Sequence, residues 1–572
     1  MSWRHWFGQP RAPAPATGEG TTALGSDDGL LAQAQALCGR GDRAGALALL
    51  DAALGEAHQP ALIHHEMGMI LREVPDLPEA EASFSLAVEL DPLLGAAWLR
   101  LGEIQARFER YAEAQASLER AHGCVAGDLH LETTLLLAKV LGRRERFAEA
   151  LALYRQAMEA EAQCAEAFMG AATMELRLAH DEAAIELFDQ GLALNPNLRD
   201  AALLDLSSAY RQVGRWQEAL EGFESATRRG PVSPVLRWYL SQTRLALCDW
   251  ARGWDDYGSR FASGAVPYRP LAFRTWEGQP IPDRTLVILA EQGLGDEIMF
   301  ASCLPGAIAR AGHCIVECEP RLAPIFRRSF PETTVLPTRR EQDGSWLEGV
   351  REPDWQVFSG DLPRLFRRRG EDFPLHQGYL RADPARADFW RERLRRELGE
   401  GLKVGISWRG GTPRTRTQSR SVPSGIWQPI LEVRGCHFID LQYGDSAAER
   451  RDLEACAGGA PITHYPEALA DYDETAALVC ALDLVVSVCT AVIHLSGALG
   501  RPVWILTPKV PEWRYTADQG YLPWYPSSRL FRQVRAGDWE PVCQELASEL
   551  RRLTLLVNSG APDFGTGPAS RP

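Results

Sequence analysis

The first half of the chain repeats a pattern of small and large apolar residues every 34 to 36 residues. The small residues stand at Ala46, Ala80, Ala114, Ala150, Ala184 and Ala219. Four residues after each of them comes a large apolar residue, at Leu50, Phe84, Leu118, Tyr154, Phe188 and Phe223. A small residue lets two helices approach closely, and the large residue one turn later fills the gap between neighbours. The pattern therefore predicts helix pairs, and because one pair cannot bury its own apolar face, the pairs should stack into a superhelix.

The predicted superhelix covers residues 27–263 and resembles an array of tetratricopeptide repeats (TPRs). Its last stretch, LCDWARGWDDYGSRF, keeps the pattern only in part and is expected to cap the array. An unrelated helical bundle would not hold one period over about 200 residues. Solenoids of this kind present an extended groove, so we expect this part of the chain to bind a peptide or a protein.

Beyond a linker near residue 264, short apolar runs typical of buried strands alternate with helical segments. The runs are TLVILA, CIVECE, TTVLP and WQVFSG, and then LKVGISW, CHFIDLQY, LVVSV and PVWILT. This alternation predicts an α/β fold, and the two sets of runs predict two Rossmann-like halves, at 264–395 and 396–557. The fold class is thus α plus α/β, with a cleft at the carboxyl ends of the strands of the two halves.

A glycine-containing turn follows the first predicted strand, in the sequence ILAEQGLGDEIMF. Gly293 and Gly295 permit another backbone or a ligand to approach closely. Asp296 stands at the start of the next helix, where its carboxylate could serve as a general base toward an acceptor hydroxyl. The simpler alternative is that Asp296 caps the helix, and the residues alone favour this alternative.

The end of the strand VGISW carries candidate anion-binding residues. Arg409 follows the strand directly, and Arg414, Arg416 and Arg420 lie in the loop behind it. Guanidinium groups at the carboxyl end of a strand suit a diphosphate or another anion. A flexible, solvated basic loop is the alternative for at least one of the three later arginines.

The stretch VVSVCTAVIHLSGALG predicts a strand, a helix cap at Thr490 and a helix over 491–499. The N–H groups of Thr490 and Ala491 would face a phosphate at the start of this helix, where the helix dipole favours negative charge. His494 lies one turn later on the same helix face and could reach a phosphate or a sugar hydroxyl. A packed histidine is the alternative.

These motifs, together with SRSVP and PWYPSSRLFRQVRAGDW, resemble a bacterial group of TPR proteins with a C-terminal heptosyltransferase-like domain. The group belongs with glycosyltransferases of the family 9 type, has the GT-B fold and includes flagellin-modifying enzymes whose TPR part holds flagellin. The resemblance runs from about Thr275 to Trp539, with the repeats in front. It implies a metal-independent transferase that uses a nucleotide sugar as substrate and needs no cofactor.

The resemblance also implies roles for single residues. The proposed base of the group falls on Asp296, in the turn with Gly293 and Gly295. The basic residue after the first strand of the second half falls nearest Arg409, with Arg420 as a further candidate. The remaining donor-binding positions are Gln442, Cys489, Thr490, Ala491 and His494.

The chain departs from the group at Cys489, where an aspartate usually precedes the threonine. A thiol is a poor acceptor and is uncharged near neutral pH. Loss of a charge-assisted hydrogen bond costs about 1.5–3 kcal/mol, or one to two decades of affinity or rate. Three alternatives follow: a different donor sugar, a contact supplied by another residue, or lost activity. A carboxylate-bearing donor, such as a nonulosonic acid, would gain from the missing negative charge.

Composition and charge limit the classes of partner and the cellular compartment that we expect for this protein. The net charge of −15 argues against a general nucleic-acid binder, and no apolar stretch predicts a membrane span or a secretory signal. The 12 cysteines show no disulfide or zinc spacing, so we expect reduced thiols in a cytoplasmic protein. The two ends, residues 1–26 and 558–572, have the composition of disordered segments.

The leading hypothesis is a protein glycosyltransferase whose TPR array holds an acceptor protein, with flagellin as the candidate. Its GT-B domain would transfer a sugar from a nucleotide sugar to a Ser or Thr hydroxyl. One alternative is a TPR adaptor with an inactive GT-B domain, which Cys489 favours. Another is an enzyme that acts on a glycan or lipid precursor, which the six repeats disfavour because a small glycan needs no protein-sized groove.

Overall fold

A computed structural model describes residues 27–558, apart from 73–76, 339–344 and 411–416, together with Phe564. The predicted disordered ends lie outside these residues, except for Asn558 and Phe564, and so do Arg414 and Arg416 of the basic loop. The chain divides into two compact units, Met1–Val213 and Gly214–Pro572. The domain boundaries that the sequence suggests, at 263/264 and 395/396, stay predictions.

The first unit is built from consecutive helix pairs joined by short loops. Its helices are α1 (Asp27–Gly39), α2 (Arg43–Ala53), α3 (Pro60–Arg72), α4 (Leu77–Leu90), α5 (Gly95–Arg107), α6 (Tyr111–Cys124), α7 (Asp128–Arg143), α8 (Phe147–Ala160), α9 (Ala165–Arg177), α10 (Asp181–Leu194) and α11 (Arg199–Gln212). The second helices of the pairs, α2, α4, α6, α8 and α10, begin 34, 34, 36 and 34 residues apart. The helix spacing therefore matches the period of the sequence pattern.

The repeated residues make the contacts between the helices. All six small residues are fully buried, and the large apolar residue four positions later is buried in every repeat. Glycines in the first helices of two pairs allow close packing. A Cβ on Gly68 would lie 2.7 Å from the Phe84 ring, and a Cβ on Gly102 would lie 2.7 Å from the Leu118 side chain. Because a larger residue there would push the helices apart, these contacts confirm the predicted TPR-like array.

The second unit begins with four more helices and continues with alternating strands and helices. Its helices are α12 (Trp216–Arg229), α13 (Pro234–Ala246), α14 (Trp250–Tyr257), α15 (Ser259–Ala262), α16 (Leu294–Ala301), α17 (Leu304–Ile308), α18 (Ala323–Ser329), α19 (Leu362–Phe366), α20 (Pro384–Leu398), α21 (Gln428–Leu431), α22 (Ala447–Cys456), α23 (Pro466–Ala470), α24 (Tyr472–Ala481), α25 (Ala491–Ala498) and α26 (Glu540–Asn558). No helix in the described part of the chain has the length and hydrophobicity that crossing a membrane requires.

Two parallel sheets form the α/β part of this unit. The strands are β1 (Arg274–Thr275), β2 (Ile281–Leu289), β3 (Ala311–Cys318), β4 (Thr334–Pro337), β5 (Trp355–Phe358), β6 (Leu402–Ser407), β7 (Cys436–Asp440), β8 (Ile462–Thr463), β9 (Leu484–Val488), β10 (Val503–Thr507) and β11 (Ser528–Arg532). The first sheet has the order β1-β5-β2-β3-β4 and the second β11-β10-β9-β6-β7-β8. From its other edge the second sheet has the 3-2-1-4-5-6 order of nucleotide-binding doubly wound folds. The predicted mixed class, a helical array followed by an α/β region with two sheets, is confirmed.

All eight apolar runs of the sequence form strands, whereas three of the described strands were not predicted. Two of these, β1 and β8, contain only two residues each. The third, β11, pairs only with β10 at the edge of its sheet, and its two apolar residues stand between two arginines. An edge strand that is buried only in part does not produce a continuous apolar run.

The repeat pattern continues once more in α14 and then changes its chemistry. Gly253 follows Ala219 by 34 residues, and Tyr257 takes the position of the large apolar residue. Three residues later, where the other repeats have Ala or Gly, the chain has Arg260. This side chain is fully buried and donates two hydrogen bonds to Glu291 (2.7 and 2.8 Å) and one to Asp361 (2.8 Å). The predicted capping repeat therefore docks onto the turn after β2 through a buried ion pair.

Removal of the Arg260 side chain should destabilise the second unit strongly. Arg260→Ala leaves Glu291 buried without its positive partner, which costs about 3–5 kcal/mol of unfolding free energy. Three of the 17 tryptophans precede residue 214, at positions 3, 6 and 98, so urea unfolding followed by tryptophan fluorescence reports mainly on this unit.

The matched control is Arg364→Ala, because the Arg364–Glu277 pair is exposed and should contribute less than about 1 kcal/mol. Equal losses of unfolding free energy in the two variants would contradict the assignment of Arg260 as a buried anchor.

Candidate functional site

The loops that follow the strands of the two sheets meet at one place. In open parallel sheets, ligands bind outside the carboxyl ends of the strands, at the point where the strand order reverses. That point lies between β2 and β5 in the first sheet and between β6 and β9 in the second. Helix α16 follows β2 and contacts α25, which follows β9. The contact is close, since a Cβ on Gly295 would lie 2.8 Å from the His494 ring.

Asp296 makes two contacts with its carboxylate. Its Oδ2 accepts a hydrogen bond from the Gly293 N–H (3.2 Å), so Asp296 does cap the start of α16. Its Oδ1 forms an ion pair with Arg514, which lies in the loop after β10. The helix-cap alternative is thus observed, and the ion pair adds a contact between the two halves. The role of Asp296 as a base stays a prediction.

Arg514 belongs to a chain of alternating charges. Glu512 pairs with both Arg514 and Arg420. The ion pairs therefore connect four side chains in the spatial order Arg420, Glu512, Arg514, Asp296. The Arg420 and Arg514 side chains are 14% and 12% exposed, whereas Glu512 is 36% exposed. Burial by itself lowers the pKa of Arg514, but Asp296 and other neighbours outweigh it and raise this pKa. The four side chains together carry no net charge, and they connect the two halves of the α/β region.

His494 is buried and uncharged at neutral pH. Its Nδ1 lies 2.9 Å from the Tyr525 hydroxyl, and the two rings contact each other edge to face. Burial and the nearby Arg514 lower the pKa of His494 to about 3, although Asp296 acts in the opposite direction. His494 is therefore a packed, neutral side chain beside the charge chain.

Cys489 lies at the carboxyl edge of the second sheet. It follows Val488, whose register partner on β10 is Leu506. The buried thiol donates a hydrogen bond to the Leu506 carbonyl oxygen (3.7 Å). Burial raises the pKa of the thiol to about 12, so the group stays protonated at neutral pH. Cys489 brings no charge into the site.

The start of α25 lies where the sequence predicts it. Thr490 occupies the cap position and Ala491 begins the helix, as the sequence indicates. The Thr490 hydroxyl, however, lies 3.1 Å from the Ser487 hydroxyl and caps no helix N–H. Thr490 therefore stands at the predicted cap position, while its hydroxyl contacts the end of β9.

Gln442 organises the strand end that carries Arg409. Its side-chain oxygen accepts hydrogen bonds from the Ser407 hydroxyl (3.1 Å) and from the N–H groups of Trp408 (3.1 Å) and Arg409 (2.9 Å). The Arg409 guanidinium pairs with Glu449 at 3.4 Å. The Gln442 side chain thus fixes the backbone at the end of β6 through these hydrogen bonds.

Gly410 joins this loop to the rest of the site. A Cβ on Gly410 would lie 3.1 Å from the backbone oxygens of both Arg420 and Cys489. The backbones of the β6 loop, the arginine loop and the end of β9 therefore pack against one another. Of the predicted residues, the structure brings Gly295 to His494, and it brings the backbones of Arg420 and Cys489 together at Gly410.

Comparison with known proteins identifies the family. The chain is 30% identical over 530 residues to Protein FlbA of Caulobacter vibrioides, and the match covers 84% of this chain and 88% of that protein. The chain belongs to the FlbA family. A tetratricopeptide repeat model matches this FlbA-family chain at residues 202–232. Its repeats indicate a protein-binding scaffold role.

Solved structures of repeat proteins share features with parts of this FlbA-family chain. One is YrrB, a TPR protein with an unusual peptide-binding site, at 22% identity and a TM-score of 0.28, covering 31% of this chain and 91% of YrrB. Another is PilW, a type IV pilus biogenesis factor, at 20% identity and a TM-score of 0.33, covering 38% of this chain and 100% of PilW. Scores this low do not by themselves establish a common fold.

The sequence motifs do not indicate three residues of the site, Glu512, Arg514 and Tyr525. The first two lie in the loop PEWRYTADQG, which follows the strand PVWILT. The available signal was their position, because a loop after a parallel strand next to β9 must open at the same edge of the sheet. Tyr525 lies in a motif that carried only the resemblance, and its contact with His494 spans 31 residues of sequence.

The depressed pKa of His494 should make this FlbA-family protein less stable in acid. The unfolded chain takes up the proton first, at a pKa near 6.5, so the unfolding free energy falls as the pH drops below that value. Replacement by Gln removes this proton uptake. Between pH 7 and pH 5, His494→Gln should lose about 2 kcal/mol less unfolding free energy than the natural protein.

Urea unfolding at both pH values measures this difference. The control is Tyr525→Phe, which removes the hydroxyl partner but keeps the buried imidazole, and so should keep the pH dependence. An unchanged pH dependence in His494→Gln would contradict the depressed pKa.

Proposed function

We propose that this protein is a glycosyltransferase of the GT-B type that acts on proteins in the cytoplasm. The observation that carries the proposal is the meeting of two parallel sheets at their order-reversal points, with a carboxylate on one wall and arginines on the other. Nucleotide ligands bind at such points in doubly wound folds. A nucleotide sugar has the anionic phosphates that arginines bind and a sugar carbon that a deprotonated hydroxyl attacks.

Asp296 is the proposed general base. It takes the proton of an acceptor Ser or Thr hydroxyl while the hydroxyl oxygen bonds to the sugar carbon. The bond from that carbon to the phosphate oxygen breaks, and the phosphate group leaves with its electron pair. Arg514 and the Gly293 N–H each use one lone pair of the Asp296 carboxylate, on different oxygens. A further lone pair on each oxygen can accept the hydrogen bond from the Ser or Thr hydroxyl.

The leaving phosphate is the proposed ligand of the second half. Arg409 and Arg420 supply positive charge, and the backbone N–H groups of Thr490 and Ala491 supply donors at the start of α25. Gln442 acts indirectly, because it orders the backbone on which Arg409 stands. Cys489 is a neutral wall residue in this scheme, which supports a donor sugar that needs no carboxylate contact there.

The first unit is the proposed acceptor-binding part, and flagellin is the candidate acceptor. A small pocket in this unit is lined by residues of α5, α6 and α7, which include Glu103, Arg107, Lys139 and Arg143. Three of these four side chains are basic. Arg107 already pairs with Glu103 (2.8 Å), so an acceptor segment with acidic side chains would meet mainly the charges of Lys139 and Arg143.

The Asp296→Asn variant tests the catalytic role. The amide oxygen of Asn retains an acceptor for the Gly293 N–H, but an amide cannot take the hydroxyl proton. We expect sugar transfer to fall by about 10²–10⁴-fold. Because Arg514 loses one charged partner but keeps Glu512, the variant should still fold, with a lowered melting temperature. The measurement is transfer of label from a set of nucleotide sugars to purified flagellin.

The matched control is Asp354→Asn. Asp354 likewise accepts a backbone hydrogen bond, from Thr285 (2.8 Å), and pairs with an arginine, Arg284 (2.9 Å), but it lies before β5 at the amino edge of the sheet. Transfer should be unchanged in this variant. Full transfer by Asp296→Asn would remove its assigned role, and absence of nucleotide binding by calorimetry would favour the adaptor alternative.

The acceptor pocket is tested separately. The double variant Lys139→Ala/Arg143→Ala removes two basic side chains from α7 and should weaken acceptor binding about tenfold, which corresponds to about 1.4 kcal/mol. Nucleotide binding should be unchanged. The control is Arg146→Ala, an exposed arginine next to this helix that pairs with Glu149 and does not line the pocket. Equal affinity of the double variant and the control for the acceptor protein would exclude this pocket as the acceptor site.

A further inference from the structure

Arg420 and Arg514 come from different loops and converge on a single carboxylate. Arg420 ends a helical turn in the loop after β6, and Arg514 lies in the turn over Trp513–Tyr515 after β10. Glu512 stands directly before that turn and forms an ion pair with both of them. Two half-buried guanidinium groups that converge in this way require an anion between them, since like charges repel strongly away from water.

We propose that Arg420 and Arg514 form a binding site for a phosphate group, and that the Glu512 carboxylate occupies this site until the ligand displaces it. The inference rests on the proposed function for the source of the phosphate, a nucleotide sugar. The Glu512 carboxylate thereby acts as an internal competitor of the donor.

The Arg514 guanidinium and the backbone of Arg420 have contacts that do not involve Glu512. The Arg514 guanidinium lies 5.0 Å from the centre of the Trp513 ring and is paired with Asp296 on another side. Trp513 in turn contacts Trp254 and Tyr257 edge to face, which anchors the turn in the core of the unit. The backbone of Arg420 packs against Gly410. Removal of the carboxylate should therefore leave the Arg514 guanidinium in position, with the Arg420 side chain anchored beside it through its backbone.

Glu512 is suited to leave the site. At 36% exposure its side chain is the most accessible of the four charged groups, and it can turn into solvent without opening the core. A phosphate offers more acceptor oxygens than a carboxylate and can engage both guanidinium groups in a bidentate manner. Exchange of Glu512 for a phosphate thus keeps the arginines paired.

The experiment compares anion binding by the full chain and its Glu512→Gln variant. The substitution keeps the length of the side chain and removes the competing charge. Isothermal calorimetry with inorganic pyrophosphate should show binding about tenfold tighter in Glu512→Gln than in the natural protein, and loss of binding in Arg514→Gln. The control is Glu549→Gln, which removes the carboxylate that pairs with Arg529 and Arg552 on β11 and α26, and it should bind as the natural protein does.

Equal or weaker pyrophosphate binding by a folded Glu512→Gln overturns the proposal. If this variant does not fold, Glu512→Asp decides, because the shorter charged side chain should also release the arginines in part and bind pyrophosphate more tightly. Parallel titrations with ADP, UDP, GDP and CMP distinguish the sources. Tighter binding of one nucleotide than of pyrophosphate assigns the site to a nucleotide, and equal binding assigns it to free phosphate.

The outcome is independent of the proposed reaction. Pyrophosphate binding that rises in Glu512→Gln, together with full sugar transfer by Asp296→Asn, would support the anion site and overturn the assigned base. The opposite pair of results would support the base and overturn the anion site.

Discussion

Parallel pairing of the strands is the constraint on which the rest of the second unit depends. Every described strand runs parallel to its neighbours, so each loop that follows a strand opens at the same edge of its sheet. Residues that are far apart in the sequence, such as Asp296, Arg420 and Arg514, therefore come together without any local signal. Once two such edges face each other, their unlike charges must pair, because partly buried charges without partners cost several kcal/mol each.

The same need for pairing explains how the last repeat joins the α/β region. Arg260 replaces the small residue of earlier repeats, and its guanidinium is satisfied by Glu291 and Asp361. Glu291 also accepts the Gly360 N–H (2.8 Å), so a single carboxylate ties α15, the turn after β2 and the end of β5 together. The buried ion pair of Arg260 and Glu291 therefore fixes the start of the turn that contains Gly293 and leads to Asp296.

Much of the fold could be predicted from the sequence because it depends on local periodicity. The repeat from Ala46 to Ala219 can be recognised because the same short pattern recurs at a fixed spacing. Each of the eight apolar runs can be recognised from a few neighbouring residues. The chain of charges depends on the register of non-adjacent strands, which no local pattern encodes. Gly295 shows the limit clearly: the sequence indicates that something approaches it closely, but only the structure shows that this is the His494 ring. The two-residue strands and the edge strand β11 escaped prediction for the related reason that they bury too little apolar surface to leave a pattern.

Arg260 also has a consequence for how this protein can change over evolutionary time. In a uniform solenoid, a repeat can be gained or lost at any point, because every repeat presents the same surface to the next. The last repeat, formed by α13, α14 and α15, has given up that equivalence, since one of its small residues has become Arg260, a charged anchor with fixed partners. Duplication or deletion of repeats is therefore confined to the part of the array that precedes it. The number of preceding repeats can therefore change without any change in the residues around Asp296 and Arg514.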